Sequence, residues 1–226
     1  MDKQAPSFLK ISNLTYESQM EVKLVHHTPL SICSNAIRTC WQSFAKSDEG
    51  GEIDKGLIHR VGNQYKHSST LEHLSYSFAI EGISRACLQE LARHRHASLS
   101  VKSTRYTLKE LKGEVPFGMD EESLCRAAKY LVLTPLLSVN KAGLLALENL
   151  RALLAEKIPS DIAKYALPES YKTALKWTIN ARSLQNFLSL RSDTRALWEM
   201  RLLAFRIFNA LPSDHKFLFI EFLCCD

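Results

Sequence analysis

Glycine is scarce in this chain, with eight in 226 residues, and none of the glycine-built phosphate cradles can be assembled from them. There is no G-x-G-x-x-G turn for a dinucleotide and no G-x-x-x-x-G-K loop for a nucleoside triphosphate. The helical zinc motif H-E-x-x-H and the serine-hydrolase elbow G-x-S-x-G are missing as well. Any bound phosphate must therefore be met by side chains such as Arg and Ser. The six cysteines, at 33, 40, 87, 125, 224 and 225, include no pair at zinc-knuckle spacing and form no regular framework. They read as free thiols in a reducing cytoplasm, with no bound metal.

Long apolar runs are lacking too. The uncharged stretch from Tyr130 to Asn140 is broken by Pro135 and is too short to span a bilayer. The opening "MDKQAPSFLKISNLTYESQ" has no apolar block of the signal-peptide kind, so the Asn13-Leu14-Thr15 sequon reads as incidental. Residues 1–19 read as a dispensable, disordered lead-in and 20–226 as a single domain. A net charge of +5 is modest, and suits anionic small molecules better than the long basic face of a nucleic-acid coat.

Periodicity predicts few strands, separated by helices without a regular βαβ rhythm. "EVKLVHH" reads as a first strand, followed by a helix from about Leu30 to Phe44, and "KSDEGGEIDKG" as a surface loop. In "LEHLSYSFAIEG" Leu74, Tyr76, Phe78 and Ile80 alternate onto one face of a half-buried strand. "SRACLQELARHR" reads as a helix burying Leu88, Leu91 and Ala92, and "TRYTLKEL" as a returning strand. Two leucine-rich helices follow between Glu121 and Glu156, broken by Pro135. A short helix "SDIAKYAL" and the strand "YKTALKWTIN" come next. "ARSLQNFLSLR" and "TRALWEMRLLAFRIFNAL" are helices, with a closing helix from Asp214 to Leu223. The fold class implied is α+β, a small antiparallel sheet with flanking helices and a helical annex.

The segment "RHRHASLSVKSTRY", residues 93–106, carries six cationic or potentially cationic side chains and no carboxylate. Arginine suits phosphate because its planar fork makes parallel, charge-assisted hydrogen bonds. Arg93 and Arg95 read as the end of a helix, with Ser103, Thr104 and Arg105 beyond a short connection, which offers two anion sites back to back. Basic residues at a helix C-terminus also simply complement the dipole, by roughly 0.3–1 kcal/mol each. A nucleic-acid-reading helix is a third reading, without a second basic face or a stacking platform to support it.

The spelling R-H-R, seven residues, then S in "RHRHASLSVKS", followed by Arg105-Tyr106, resembles the signature of the flavin-dependent thymidylate synthases. "KHSSTLEH", "LPESYKTALKW" and "INARSLQNFLSLRSD" agree with that family in order, from about Met20 to about Leu211. The resemblance implies methylation of dUMP by methylene-tetrahydrofolate with NADPH-reduced FAD as reductant. It also implies a non-Rossmann flavin site and a cytoplasmic homotetramer with shared active sites.

By that resemblance, Arg93, His94, Arg95, Asn180, Arg182 and Asn186 contact FAD. His67 stands near the flavin, and Ser69 reaches it from a neighbouring subunit. Glu90, Arg93, Ser103, Thr104, Arg105 and Lys164 take dUMP, and Arg191 is the catalytic arginine against the uracil ring. Two positions depart from the family's pattern. Val101 stands where many relatives carry an acid or amide, and Lys164 where many carry arginine, keeping the charge but not the fork.

The residues agree in part with this. Leu184, Phe187, Leu188 and Arg191 share a helical face, so Arg191 closes a buried stripe and needs a partner. A uracil carbonyl would serve; so would a structural salt bridge to Glu199 or Glu169. Arg182 and Asn186 lie one turn apart on the adjoining polar face. No cysteine lies near these motifs, and no base stands ready to activate Ser103, so the family's chemistry without an enzyme nucleophile fits. A flavoprotein that oxidises NADPH without methyl transfer, and a nucleic-acid-binding module, are the alternative readings.

Overall fold

The computed structural model describes residues 9–11, 14–16 and 19–224. Strand β1 is Leu9–Ile11, β2 Leu14–Tyr16 and β3 Glu21–His27; helix α1 is Leu30–Thr39 and α2 Glu52–Ile58. β4 is Ser75–Ser84, α3 Arg85–Leu91, β5 Ala97–Val101 and α4 Thr104–Lys112. α5 is Glu121–Ala127, α6 Leu137–Ala155, α7 Ser160–Ala163 and β6 Lys172–Asn180, with α8 at Ala181–Arg191 and α9 at Trp198–Ala210. The architecture is the expected mixture of helices with a small antiparallel sheet, ordered β3-β4-β6-β5. Of the expected lead-in, β1 and β2 pair antiparallel with Leu9 opposite Tyr16. Its remaining residues apart from Gln19, Asn13 of the sequon among them, lie outside the described residues.

The chain divides into two compact units. A sheet unit comprises Glu21–Ile80, Glu90–Ser100 and Lys176–Asp226; a helical unit comprises Met1–Met20, Glu81–Gln89 and Val101–Leu175. In the sheet unit the alternation read from β4 holds, with Leu74, Tyr76, Phe78 and Ile80 fully buried. Trp177 of β6 packs against Phe78 at 6.2 Å and against Phe187 of α8 at 5.0 Å between ring centroids. Burial of these aromatics contributes to stability here, each truncation to alanine costing about 3–5 kcal/mol. In the helical unit α4, α5 and α6 bury Leu108, Leu111, Leu124, Leu144, Leu147 and Leu150 in one cluster with Tyr130 and Tyr171.

Four local expectations are corrected. "TRYTLKEL" is not a strand but α4: Ser103 caps it, accepting from Arg105 N–H at 3.4 Å, and Leu108 and Leu111 turn inward at helical spacing. "EIDKGLI", expected as loop, is α2, because both Asp48 oxygens accept its first N–H groups, from Ile53 at 2.8 Å and Asp54 at 3.0 Å. Helix α3 stops at Leu91 and leaves Ala92 exposed, while Cys87 and Leu91 fill its buried side. The closing helix is instead two 3-10 turns, Ser213–Leu218 and Ile220–Phe222.

Candidate active site

Where α3 ends, the bonds from Arg93 N–H to Glu90 O at 3.3 Å and from His94 N–H to Leu91 O at 3.1 Å tighten its last turn. The chain then runs into the edge strand β5, so the basic segment is split between a helix exit and a strand rather than bridged by a loop. Across the sheet order, β6 ends at Asn180, whose side-chain oxygen accepts from Ser183 N–H at 2.8 Å and so starts α8. These two chain turns, at Arg93–His96 and at Asn180, wall a cavity of about 930 Å3.

The cavity is lined by Arg93, His94, Arg95, His96, Asn180, Arg182, Asn186 and Arg191, joined by Glu72, Ser183 and Leu190. Six of the residues expected to contact the flavin, with Arg191, are thereby brought together. His96, directly after Arg95, was missed, as were Ser183 and Leu190, three before and four after Asn186 on the same helical face. Glu72 carried no local signal, since it enters through an ion pair at 2.7 Å with Arg182, 110 residues away.

Arg191 is three-quarters or more covered, with 17% of its side chain exposed, and the carboxylate it meets is that of Glu90, 2.9 Å from Nη1. The salt-bridge alternative read from the sequence named Glu199 or Glu169; the carboxylate in place is neither. A further bond runs from Arg191 Nη2 to the Glu90 carbonyl at 3.3 Å, and another from Nε to His94 Nε2 at 3.0 Å. Burial, then the charge of Arg191, presses the His94 imidazole down to about 4, against the pull of Glu90. The ring is therefore neutral at physiological pH. Arg93 and Arg95 have no side-chain hydrogen bond or ion pair among the described residues. Two charged forks beside an open cavity, with no carboxylate to neutralise them, form an anion site.

The other expected residues stand elsewhere. His67 and Ser69 are exposed on the 3-10 turn Ser68–His73 and its approach, outside the cavity lining. Ser103, Thr104 and Arg105 form the start of α4, and Lys164 follows α7 with its ammonium 5.9 Å from the Tyr165 ring; all four belong to the helical unit. Val101 is exposed at the end of β5. Cys87 is fully buried, and no group of three or more His, Cys, Asp or Glu among the described residues could hold a metal. No helix of the described residues is long and apolar enough to cross a membrane.

Comparison with known proteins gives the same answer from three directions. Residues 23–213 match the family model described as thymidylate synthase complementing protein. A flavin-dependent thymidylate synthase of Campylobacter jejuni is 64% identical over 200 residues, covering 88% of this chain and 96% of that protein. The Helicobacter pylori flavin-dependent thymidylate synthase is 61% identical over 206 residues, 90% of this chain and 99% of its own. The crystal structure of thymidylate synthase X from Helicobacter pylori with FAD and dUMP superposes with a TM-score of 0.87. It is 60% identical in sequence and covers 91% of this chain and 100% of that one.

Proposed function

Because the chain belongs to the flavin-dependent thymidylate synthases, we propose that it methylates dUMP to dTMP, taking the one-carbon unit from methylene-tetrahydrofolate and its reducing power from NADPH through FAD. The observation that carries this reading is the cavity of the sheet unit, with Arg93 and Arg95 uncompensated on its wall. FAD is an anion with a polar, planar ring system, and this chemistry suits four arginines, two carboxamides and a neutral imidazole without a glycine cradle. Arg93, His94, Arg95, Asn180, Arg182 and Asn186 would hold it. Asn180 spends its oxygen on the α8 cap and keeps its amide N–H groups for a ligand. When bound and reduced, FAD supplies the electrons for the methyl transfer.

Toward dUMP, Arg191 is the residue on which turnover depends. Three of its N–H groups are engaged by Glu90 and His94, which leaves one on each terminal nitrogen for a uracil carbonyl. A fixed positive fork there favours build-up of negative charge on the ring, an effect worth about 10²–10³ in rate for comparable donors. Glu90 and Arg93 adjoin it. Ser103, Thr104 and Arg105 offer the phosphate a helix N-terminus with an arginine on it, and Lys164 adds a point charge. No enzyme nucleophile is needed, in keeping with the burial of Cys87 and the engagement of Ser103 in its own helix cap.

His67 and Ser69 are exposed and outside the lining of their own chain's cavity, which suits their presentation to the flavin of a neighbouring subunit in a homotetramer. We place the enzyme in the cytoplasm, where its free thiols are stable.

The test is the visible spectrum of purified protein after incubation with FAD and removal of unbound cofactor. A retained flavin band that NADPH bleaches without oxygen, followed by dTMP formation that requires dUMP and methylene-tetrahydrofolate, supports the reading. Bleaching without any dUMP-dependent product would leave an NADPH-oxidising flavoprotein, a fate for which the exposed Val101 side chain, unable to hydrogen-bond, provides the opening. A colourless protein would overturn the assignment of Arg93 and Arg95.

A further inference from the structure

One contact in the cavity lies outside the roles given above: the bond from Arg191 Nε to His94 Nε2 at 3.0 Å. An arginine Nε–H can only donate, so the nitrogen facing it must carry a lone pair. An imidazolium has none to offer. His94 is therefore neutral, and its proton sits on Nδ1, which has no partner among the described residues. Phe187 packs edge-on against the ring with centroids 5.0 Å apart, on the side away from open solvent, and so backs the plane that presents Nε2 to Arg191. Phe187 is in turn fully buried against Trp177. The sheet core thus reaches the guanidinium through two aromatic rings and one imidazole.

The clamp has two sides. Glu90 holds the Nη1 and Nη2 edge at 2.9 and 3.3 Å, and His94 holds Nε. With Glu90 alone, the guanidinium could still tilt about the line joining its two Glu90 contacts; a third contact, at Nε, fixes the plane. The charged groups acting on the His94 ring are Arg191 and Arg93, which disfavour its protonation, and Glu90, which favours it, on top of burial. The balance matches the geometry, since a protonated His94 would face Arg191 charge to charge.

We propose that His94 is the positioning residue of Arg191. As the neutral Nδ1–H tautomer it fixes the guanidinium plane through Nε2, so that the remaining Arg191 N–H groups meet the pyrimidine in one orientation. This rests on the reading of Arg191 as the uracil-facing arginine and goes beyond flavin contact as the office of His94.

Two measurements test it. The first is the imidazole 15N spectrum of the full chain without flavin or nucleotide, the His94 signals being identified by their loss in His94→Gln. A pyridine-type Nε2 and a pyrrole-type Nδ1, with protonation delayed to about 4, support the clamp. An Nε2–H tautomer, or protonation at the ordinary value of 6.5, overturns it. The second is kinetic, at saturating FAD and dUMP. His94→Leu removes the acceptor and should lower kcat by about tenfold to a hundredfold, the range of one hydrogen bond to a charged group, with less change in KM for dUMP. His94→Gln places an amide oxygen near the Nε2 position and should restore most of kcat. Equal losses in both variants, or a loss confined to flavin retention, overturn the positioning role. A wild-type chain that holds no flavin would overturn the underlying functional reading, and is told apart because the tautomer spectra are taken without flavin.

Discussion

Arg38 and Arg191 both meet a carboxylate inside the sheet unit, 2.6 Å from Asp54 and 2.9 Å from Glu90. Around Arg38 the account is nearly closed, with four of its five N–H groups engaged. Its Nε and Nη2 donate to Asp54, its Nη1 to the Ser43 carbonyl and its Nη2 also to the Lys46 carbonyl, while Ser34, Ser47 and Gly50 N–H supply Asp54. Burial works against the Asp54 carboxylate, but those hydrogen bonds outweigh it and bring the group down to about 2. Around Arg191 the account is open, with donors left over, a half-exposed partner and a cavity in front. A buried arginine whose donors are nearly all spent on the protein is structural; one with a spare donor on each terminal nitrogen beside a cavity is available for a ligand. The histidines repeat the contrast. His94 and His215 are both pressed to about 4 by burial first of all, yet His215 meets Tyr76 Oη at 2.8 Å in the core, with the His27 ring 4.9 Å away, whereas His94 borders the cavity.

The sharpest break of this comparison is Arg191→Ala. Turnover should fall by about 10²–10³ or more with flavin retention little changed, measured as single-turnover dTMP formation against flavin absorbance; matching losses in both would make Arg191 a second structural arginine. Next in size, Arg38→Ala should cost about 3–5 kcal/mol in urea unfolding by stranding Asp54, while whatever fraction is folded keeps its kcat.

A pH series separates the histidines. Because the folded-state pKa of His215 is depressed from 6.5 to about 4, its contribution is fully present above about 6.5 and is lost as pH falls toward 4, roughly 3 kcal/mol in all. His215→Gln should flatten that share of the acid limb in denaturation midpoints, leaving the share from His94. The smallest effect belongs to Glu72→Gln. Its ion pair with Arg182 is about half exposed on both sides, so stability should shift by no more than about 1 kcal/mol. A larger loss would show that the cavity wall is built as tightly as the Arg38 site.

The alternation in β4 and β6 and the 3.6 period in α6, α8 and α9 were legible because burial on one face repeats with the backbone. Helix α4 was misread because "TRYTLKEL" alternates weakly and its capping Ser103 had been assigned to a ligand. Helix α2 was misread because its paired glycines and charges resemble a turn, and only the Asp48 cap and the Arg38–Asp54 bond show why it is helical and why Asp54 alone of those charges goes inward. At the candidate site, Arg93, His94, Arg95, Asn180, Arg182, Asn186 and Arg191 stood out through a local spelling and the resemblance it carried. Glu72 did not, being joined to Arg182 only across the fold.

The sequence by itself determined that no glycine-built phosphate cradle is spelled in the chain, that residues 93–106 concentrate positive charge without a carboxylate, and which faces of the long elements are apolar. These are properties of composition and of backbone period, fixed before any two distant segments touch. Only the tertiary structure decided which cations are spent and which are free. Pairing depends on what lies within about 3 Å of a guanidinium once water is excluded. For Arg191 that neighbourhood is assembled from Glu90, 101 residues away, and His94, 97 residues away.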